Sequence, residues 1–246
     1  MTERVLLMVG RHGEAPQKPE GGSYDQLIPE AWVDAYQRTG AALEARVKEL
    51  GLTQKKTFGL HSKKERTRDT QKTKLVRAFN MQPNQGKAPP QSREELAHYD
   101  FTQIDIGEHP NLIYPAVDMN MAIYADPNRG ATVCIDYWLA NPEATIHEGV
   151  PIEAYVNRIK RVKAPLKAGI KRLQEEKDLG LIDTHSGITE PMVIELIRSG
   201  GKLIGELSEI GGKFRFGDYA FLTMERRKSG LHAVELEFHG ETYAVD

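Results

Sequence analysis

The stretch VLLMVGRHGEAP, residues 5–16, decides the fold. An unbroken apolar run, Val5 to Val9, stops at Gly10, and Arg11, His12, Gly13 and Glu14 follow at once. A short continuous run rich in Val and Leu and closed by glycine reads as a fully buried strand. A guanidinium and an imidazole then stand at its carboxyl end, a rigid platform suited to an anion.

Outward from this strand the chain alternates between helical and strand patterns. PQKPEGGSYDQL, 16–27, is a Pro/Gly loop, and Pro29 to Leu50 follows as a helix. Pro29 suits its first turn, Trp32, Ala35, Leu43, Val47 and Leu50 give it an apolar face, and Gly51 suits its cap. TFGLHS, 57–62, is a second strand, residues 63–80 a charged helix, and QPNQGKAPPQS, 82–92, a loop. Residues 93–148 show few periodic runs. MNMAIYADP and TVCIDYWLA suggest short helices, in an insertion laid over the core. A helix over 151–178 carries Val156, Ile159, Val162, Leu166, Ile170 and Leu173 at helical spacing. LGLIDT, 179–184, is another buried strand and ends at His185. A short helix over 189–199 stops at Gly200-Gly201, and AFLTMERR and LHAVELEF form a terminal hairpin around Ser229-Gly230.

This order predicts a three-layer α/β/α sandwich with a mostly parallel sheet, one domain over residues 1–246, and a cap inserted at about 96–148. Ligands of open sheets bind beyond the carboxyl ends of the strands. Arg11-His12, His61-Ser62 and His185 all fall there, so three separate segments aim basic or imidazole groups at one sheet edge.

Composition fits this reading. The 246 residues are 39% hydrophobic and 28% charged, an ordinary globular balance. A net charge of −2 gives no global field toward nucleic acid or a membrane surface, so any anion site must be a local cluster. The one cysteine, Cys134, excludes an intramolecular disulfide framework and reads as a small buried hydrophobe. No apolar run reaches the ~20 residues of a membrane helix, and the N-terminal run is too short for a signal peptide. The expectation is a cytoplasmic protein. GxGxxG and GxxxxGK[ST] are both absent, which weighs against a nucleotide-binding module.

Arg11-His12-Gly13 after a strand resembles the RHG signature of the histidine phosphatase superfamily, the phosphoglycerate mutase-like proteins. Ser62 to Thr70, SKKERTRDT, is similar to that family's Ser-x-x-x-Arg-Ala-x-Gln-Thr, with Arg66 and Thr70 in register. Asp183-Thr184-His185-Ser186-Gly187 resembles its late strand-His-Gly-Gly segment. Gly149-x-Pro151 to Arg158 falls where the family has a helix carrying an arginine.

The resemblance implies phosphoryl transfer. His12 would be the nucleophile and form a phosphohistidine, Arg11 and Arg66 would clamp the phosphoryl oxygens, and His185 would add a donor, protonated by the dianion it faces. Neutral imidazole suits the nucleophile's role, because its reference pKa is about 6.5. Neither metal nor cofactor is required, since the arginines supply the positive charge. The same residues have plainer readings: a solvated Arg-His turn, a solvated charged helix in KKERTRDTQKTK, and a satisfied strand-end histidine at 185. Arg68 rivals Arg66 for the clamp, though the Ser62 and Thr70 register favours Arg66. Glu14 could only orient Arg11, and His61 and Ser62 could only shape their loop, with His61 in the pocket's outer shell.

The acid segment departs from the family pattern. Aligning Leu96 and Phe101 puts His98 where the family has a glutamate, with Glu95 three residues earlier and Asp100 two later. His98 and Glu95 are equal candidates for proton donor, and Asp100 ranks behind them. The Asn and Phe-Thr-Gly-Trp segment of true phosphoglycerate mutases is missing, which favours a phosphatase acting on phosphomonoesters. The alternatives are a mutase, or a binding or regulatory member with weak turnover. The expected partner is a small phosphorylated substrate or a phosphoprotein. Tyr99, Tyr114, Tyr124, Tyr137 and Trp138 either face substrate or pack the cap's own core.

Overall fold

In β1 (Glu3–Arg11), side chains alternate between two buried cores. Val5, Leu7 and Val9 join one core, and Leu6 and Met8 the other, as expected of a strand covered on both faces. The structure is a computed structural model describing residues 3–14, 26–81, 89–90, 92–105, 130–147, 149–152, 154–175, 177–185 and 187–245.

The first helical segment runs as α1 (Pro29–Asp34), a π-helical turn over Ala35–Thr39, and α2 (Gly40–Leu50). It ends at Gly51, whose left-handed φ of 65° closes the cap. Then come β2 (Thr57–His61), α3 (Glu65–Ala78), α4 (Arg93–Ala97) and β3 (Gln103–Asp105). After α5 (Gly130–Ala140), a short ladder joins β4 (Ile146–His147) to β5 (Val150–Pro151). The chain continues with α6 (Tyr155–Gln174), β6 (Leu179–Thr184), α7 (Thr189–Ser199), β7 (Tyr219–Arg227), β8 (Gly230–Phe238) and β9 (Glu241–Ala244).

The seven-stranded sheet has the order β3-β2-β6-β1-β7-β8-β9. The first four strands are mutually parallel, and β7, β8 and β9 extend the sheet antiparallel. Leu43 and Val47 of α2 and Leu75 of α3 pack with Leu6, Met8, Leu179 and Leu181 on one face. Trp138 of α5, Val162 and Leu166 of α6 and Val193 of α7 pack with Val5, Leu7, Val9 and Ile182 on the other. The architecture is therefore α/β with three layers, and its sheet is mixed.

Three sequence expectations change. The third long helix starts at Tyr155, not Pro151, because Pro151 is held in the ladder opposite Ile146. The charged helix is not a solvated face: Thr67, Asp69, Thr70, Gln71, Thr73 and Lys74 of α3 are all buried. The described parts of 93–148 join the main body, since β3 pairs with β2 and Ile135, Trp138 and Leu139 enter the main core. Tyr114, Tyr124 and the MNMAIYADP segment lie outside the described residues, as does most of the 16–27 loop.

A fully buried ion pair ties α3 to the sheet. Lys74 Nζ lies 2.5 Å from Asp183 Oδ1, with both side chains inaccessible to solvent. Gly10 of β1 faces this pair. A Cβ there would come within 2.7 Å of Asp183 Oδ1 and 2.9 Å of Lys74 Nζ, so the glycine makes room for the charges.

Candidate active site

β1, β2 and β6 are neighbours or next neighbours in the parallel part of the sheet, so their carboxyl ends share one edge. The backbone stitches Arg11-His12 into place there. Arg11 N–H donates to Asp218 O at 2.9 Å, His12 N–H to Thr184 O at 3.0 Å, and Gly217 N–H to His12 O at 3.2 Å. The strand end is thus held between the end of β6 and the turn entering β7.

His12 is buried, with 4% of its surface exposed. Its Nδ1 lies 2.5 Å from Gly13 O. A carbonyl only accepts, so in the neutral ring Nδ1 carries the hydrogen and Nε2 keeps its lone pair. Gly13 N–H donates to Thr70 Oγ1 at 2.9 Å, and Thr70 Oγ1 donates to Arg66 O at 2.8 Å. The loop after β1 is thereby bound to the helix that carries Arg66.

His185 follows β6, its ring centroid 4.7 Å from that of His12 in an edge-on arrangement. Its Nε2 is 2.8 Å from Ser62 Oγ, which lies 3.0 Å from Thr67 Oγ1. Ser62 follows β2, so this bond joins the ends of β2 and β6. Thr189 Oγ1 donates to His185 O at 3.0 Å, and Gly187 N–H donates to the buried Glu190 carboxylate at 2.6 Å.

Arg11 is oriented from two sides. Its Nη1 donates to Phe214 O at 2.6 Å, and its guanidinium carbon lies 4.0 Å from the centre of the Phe216 ring. Arg66 lies close enough to depress both imidazoles. Burial pushes His12 well below its ordinary value; the neighbouring His185, which would repel a second imidazolium, and the charges of Arg66 and Arg11 add to this against the Gly13 hydrogen bond. His185 is pushed down to about 3, by burial first and then by Arg66, Arg11 and Lys64. Arg66 and Arg11 act on both rings, and Lys64 adds to their effect on His185. A chain of net charge −2 has gathered a local cluster of positive charge around two neutral imidazoles. His185 is uncharged here, and a bound dianion would be needed to protonate it.

The structure thus brings together Arg11, His12, Arg66 and His185, with Ser62 and Thr70 linking them. Arg68 instead pairs with Glu65 at 3.5 Å. His61 is buried at the end of β2, with Nδ1 2.9 Å from Ser62 O, and Glu14 is exposed. Glu95 and His98 are both exposed, Glu95 within α4 and His98 at its C-terminal cap, and Asp100 is also exposed. Ser92 caps that helix by accepting from Glu95 N–H at 3.2 Å. Arg158 is buried, its guanidinium carbon 5.0 Å from the Trp138 ring centre, so Trp138 packs the core. Tyr137 donates its hydroxyl to Ile146 O at 2.9 Å. Among the described residues, no cluster of three or more His, Cys, Asp or Glu is arranged to hold a metal ion, and no helix is long and apolar enough to cross a membrane.

Sequence reasoning missed Phe214, Phe216 and Asp218, because FRFGD reads only as a loop before the hairpin. It also missed Lys74, hidden among the charges of its helix.

No protein-family model matches the chain, and no curated protein matches it. Solved structures that it resembles include a mycobacterial glucosyl-3-phosphoglycerate phosphatase, at 12% identity over 99% of this chain and 100% of that one, with a TM-score of 0.49. They also include a protein described as mycobacterial hydrolase 1, at 15% identity over 94% of this chain and 96% of that one, with a TM-score of 0.49. A phosphoglycerate mutase from Bacillus anthracis is similar at 15% identity, over 98% of this chain and 94% of that one, again with a TM-score of 0.49.

Proposed function

We propose that this chain is a phosphoryl-transfer enzyme of the histidine phosphatase kind, hydrolysing phosphomonoesters through a phosphohistidine on His12. One observation carries the reading: His12 is buried and neutral, with Nδ1 committed to Gly13 O and Nε2 left as the nucleophilic atom.

Arg11 and Arg66 hold the phosphoryl oxygens and offset the charge that builds on them. His12 Nε2 attacks phosphorus, an N–P bond forms, and the P–O bond to the leaving group breaks. The departing oxygen takes a proton from a donor. Water then attacks phosphorus, giving its proton back to that donor, the N–P bond breaks, and inorganic phosphate leaves with the imidazole restored. His185 approaches the phosphoryl group as a second imidazole. A bound dianion counteracts the arginines and raises its proton affinity, which turns it into a charged donor.

The proton donor comes from the segment around α4, where Glu95 and His98 rank equally ahead of Asp100. Paired kinetics on an activated aryl phosphate and an unactivated alkyl phosphate identify it. Loss of the donor slows the alkyl substrate far more than the aryl one, and no such difference in any of the three variants places the donor elsewhere. Exposure of both leading candidates favours, as a second reading, a phosphate-binding protein with weak turnover.

Intact mass after mixing with a phosphodonor, at mildly basic pH to preserve phosphohistidine, separates the readings. The enzyme gains one phosphoryl group that His12→Ala abolishes. Phosphate binding with no such gain means a binding protein. A phosphate screen with and without acceptor alcohols then tells hydrolase from mutase.

A further inference from the structure

We propose that Phe216 is a specificity-determining residue of this site, an apolar shelf that selects phosphorylated ligands whose non-phosphate part has a flat apolar face, such as an aryl or benzyl group. The inference rests on the phosphate-site reading above and concerns what lies beyond the phosphoryl group.

Phe216 lies against two of the four residues of the phosphate site, Arg11 and His12. Its ring centre lies 4.0 Å from the Arg11 guanidinium carbon and 5.6 Å from the centre of the His12 ring. Yet 40% of its surface is exposed, one of three large hydrophobic residues so exposed among those described.

An exposed ring on a loose loop would mean little, but this one is mounted rigidly. Arg215 N–H donates to Asp218 Oδ2 at 2.7 Å, and Asp218 N–H donates to Arg215 O at 3.0 Å, closing a tight turn around Phe216. The Asp218 carboxylate is held further by Arg38 at 3.3 Å and His239 at 3.1 Å. Gly217, at φ +77°, sits so close to Asp34 that a Cβ would approach its Oδ2 to 2.4 Å. The Gly217 and Asp218 backbones are the same groups that hold His12 O and Arg11 N–H. The strand end and the shelf are thus one rigid unit.

An aromatic ring fixed with an open side loses no conformational freedom when a ligand covers it. Arg11 already lies against the ring, so one guanidinium can hold the phosphoryl group while the phenyl beside it receives an apolar neighbour. A glycerol group has no flat apolar face to lay on the ring and would gain little there.

Affinity for two non-hydrolysable probes, benzylphosphonate and methylphosphonate, tests the proposal in the intact chain by calorimetry. In the wild type, benzylphosphonate should bind about tenfold tighter, the gain expected from covering roughly half a ring. Phe216→Ala should collapse that ratio toward one, and Phe216→Tyr should keep it. The proposal is overturned if the wild type shows no preference, if the preference survives in Phe216→Ala, or if that variant weakens both probes by one common factor. The last result would mean that the ring only orients Arg11. Probe preference without phosphorylation of His12 leaves the shelf standing and removes the chemistry. Failure of both probes to bind removes the phosphate site and the shelf together.

Discussion

An imidazole can act as a nucleophile only while uncharged, and the surroundings of His12 keep its ring so. Burial, the neighbouring His185 ring, which would repel a second imidazolium, and the positive charges of Arg66 and Arg11 all disfavour protonation, and His185 is pushed down to about 3 by similar causes. The consequence for stability has a definite sign. Between the unfolded value of 6.5 and about 3, the unfolded chain binds a proton at position 185 that the folded chain refuses. Unfolding then takes up protons, so stability falls as pH drops through that window and is unaffected above it. His12 adds to the effect in the same direction. Urea unfolding at a series of pH values should show His185→Asn with a shallower acid limb than the wild type, by up to about 1.4 kcal/mol per pH unit. Identical slopes would mean that His185 is not held neutral.

At the scale of elements, the site depends on how α3 lies against the sheet. This helix carries Arg66, Thr70 and Lys74, and the buried Lys74–Asp183 pair fixes it beside the end of β6. Removing one partner leaves a buried charge without compensation, so Lys74→Met or Asp183→Leu alone should cost about 3–5 kcal/mol. The double variant should recover most of that stability, because apolar groups of similar volume replace the pair. Chemical denaturation of the three variants checks this, and a double variant no better than the singles would contradict it. Legibility from sequence followed the same physics. β1, β6 and α7 were readable because their side chains are apolar and periodic, and the RHG segment because it follows β1 directly. The role of α3 was hidden, since KKERTRDTQKTK has the composition of a solvated helix while its neighbours in the fold bury Thr67, Asp69, Thr70, Gln71, Thr73 and Lys74. The 214–218 turn was equally invisible, because its contacts with Arg11 and His12 span some two hundred residues of chain. No local pattern reports a pairing that distant. β9 was missed for a simpler reason: ETYA is too short for its alternation to stand out.

For the whole molecule, the cluster of Arg11, His12, Arg66 and His185 is built by segments that meet only when the sheet is complete. A bound dianion would bridge the ends of β1 and β6 and the start of α3, so it should stabilise the entire fold. At about one hundred times its dissociation constant, phosphate should contribute about 2.7 kcal/mol. That corresponds to roughly 5–10 °C in Tm for a chain of this size, and Arg66→Ala should lose most of the shift in a thermal melt. An equal shift in Arg66→Ala would place the anion elsewhere.

Phosphorus and nitrogen NMR of the phosphorylated protein, labelled with 15N in its histidines, tests the central claim most directly. Nδ1 of His12 is committed to Gly13 O, so the phosphoryl group is predicted on Nε2 of that ring. A phosphoryl group on Nδ1, on another side chain, or on none would contradict the account.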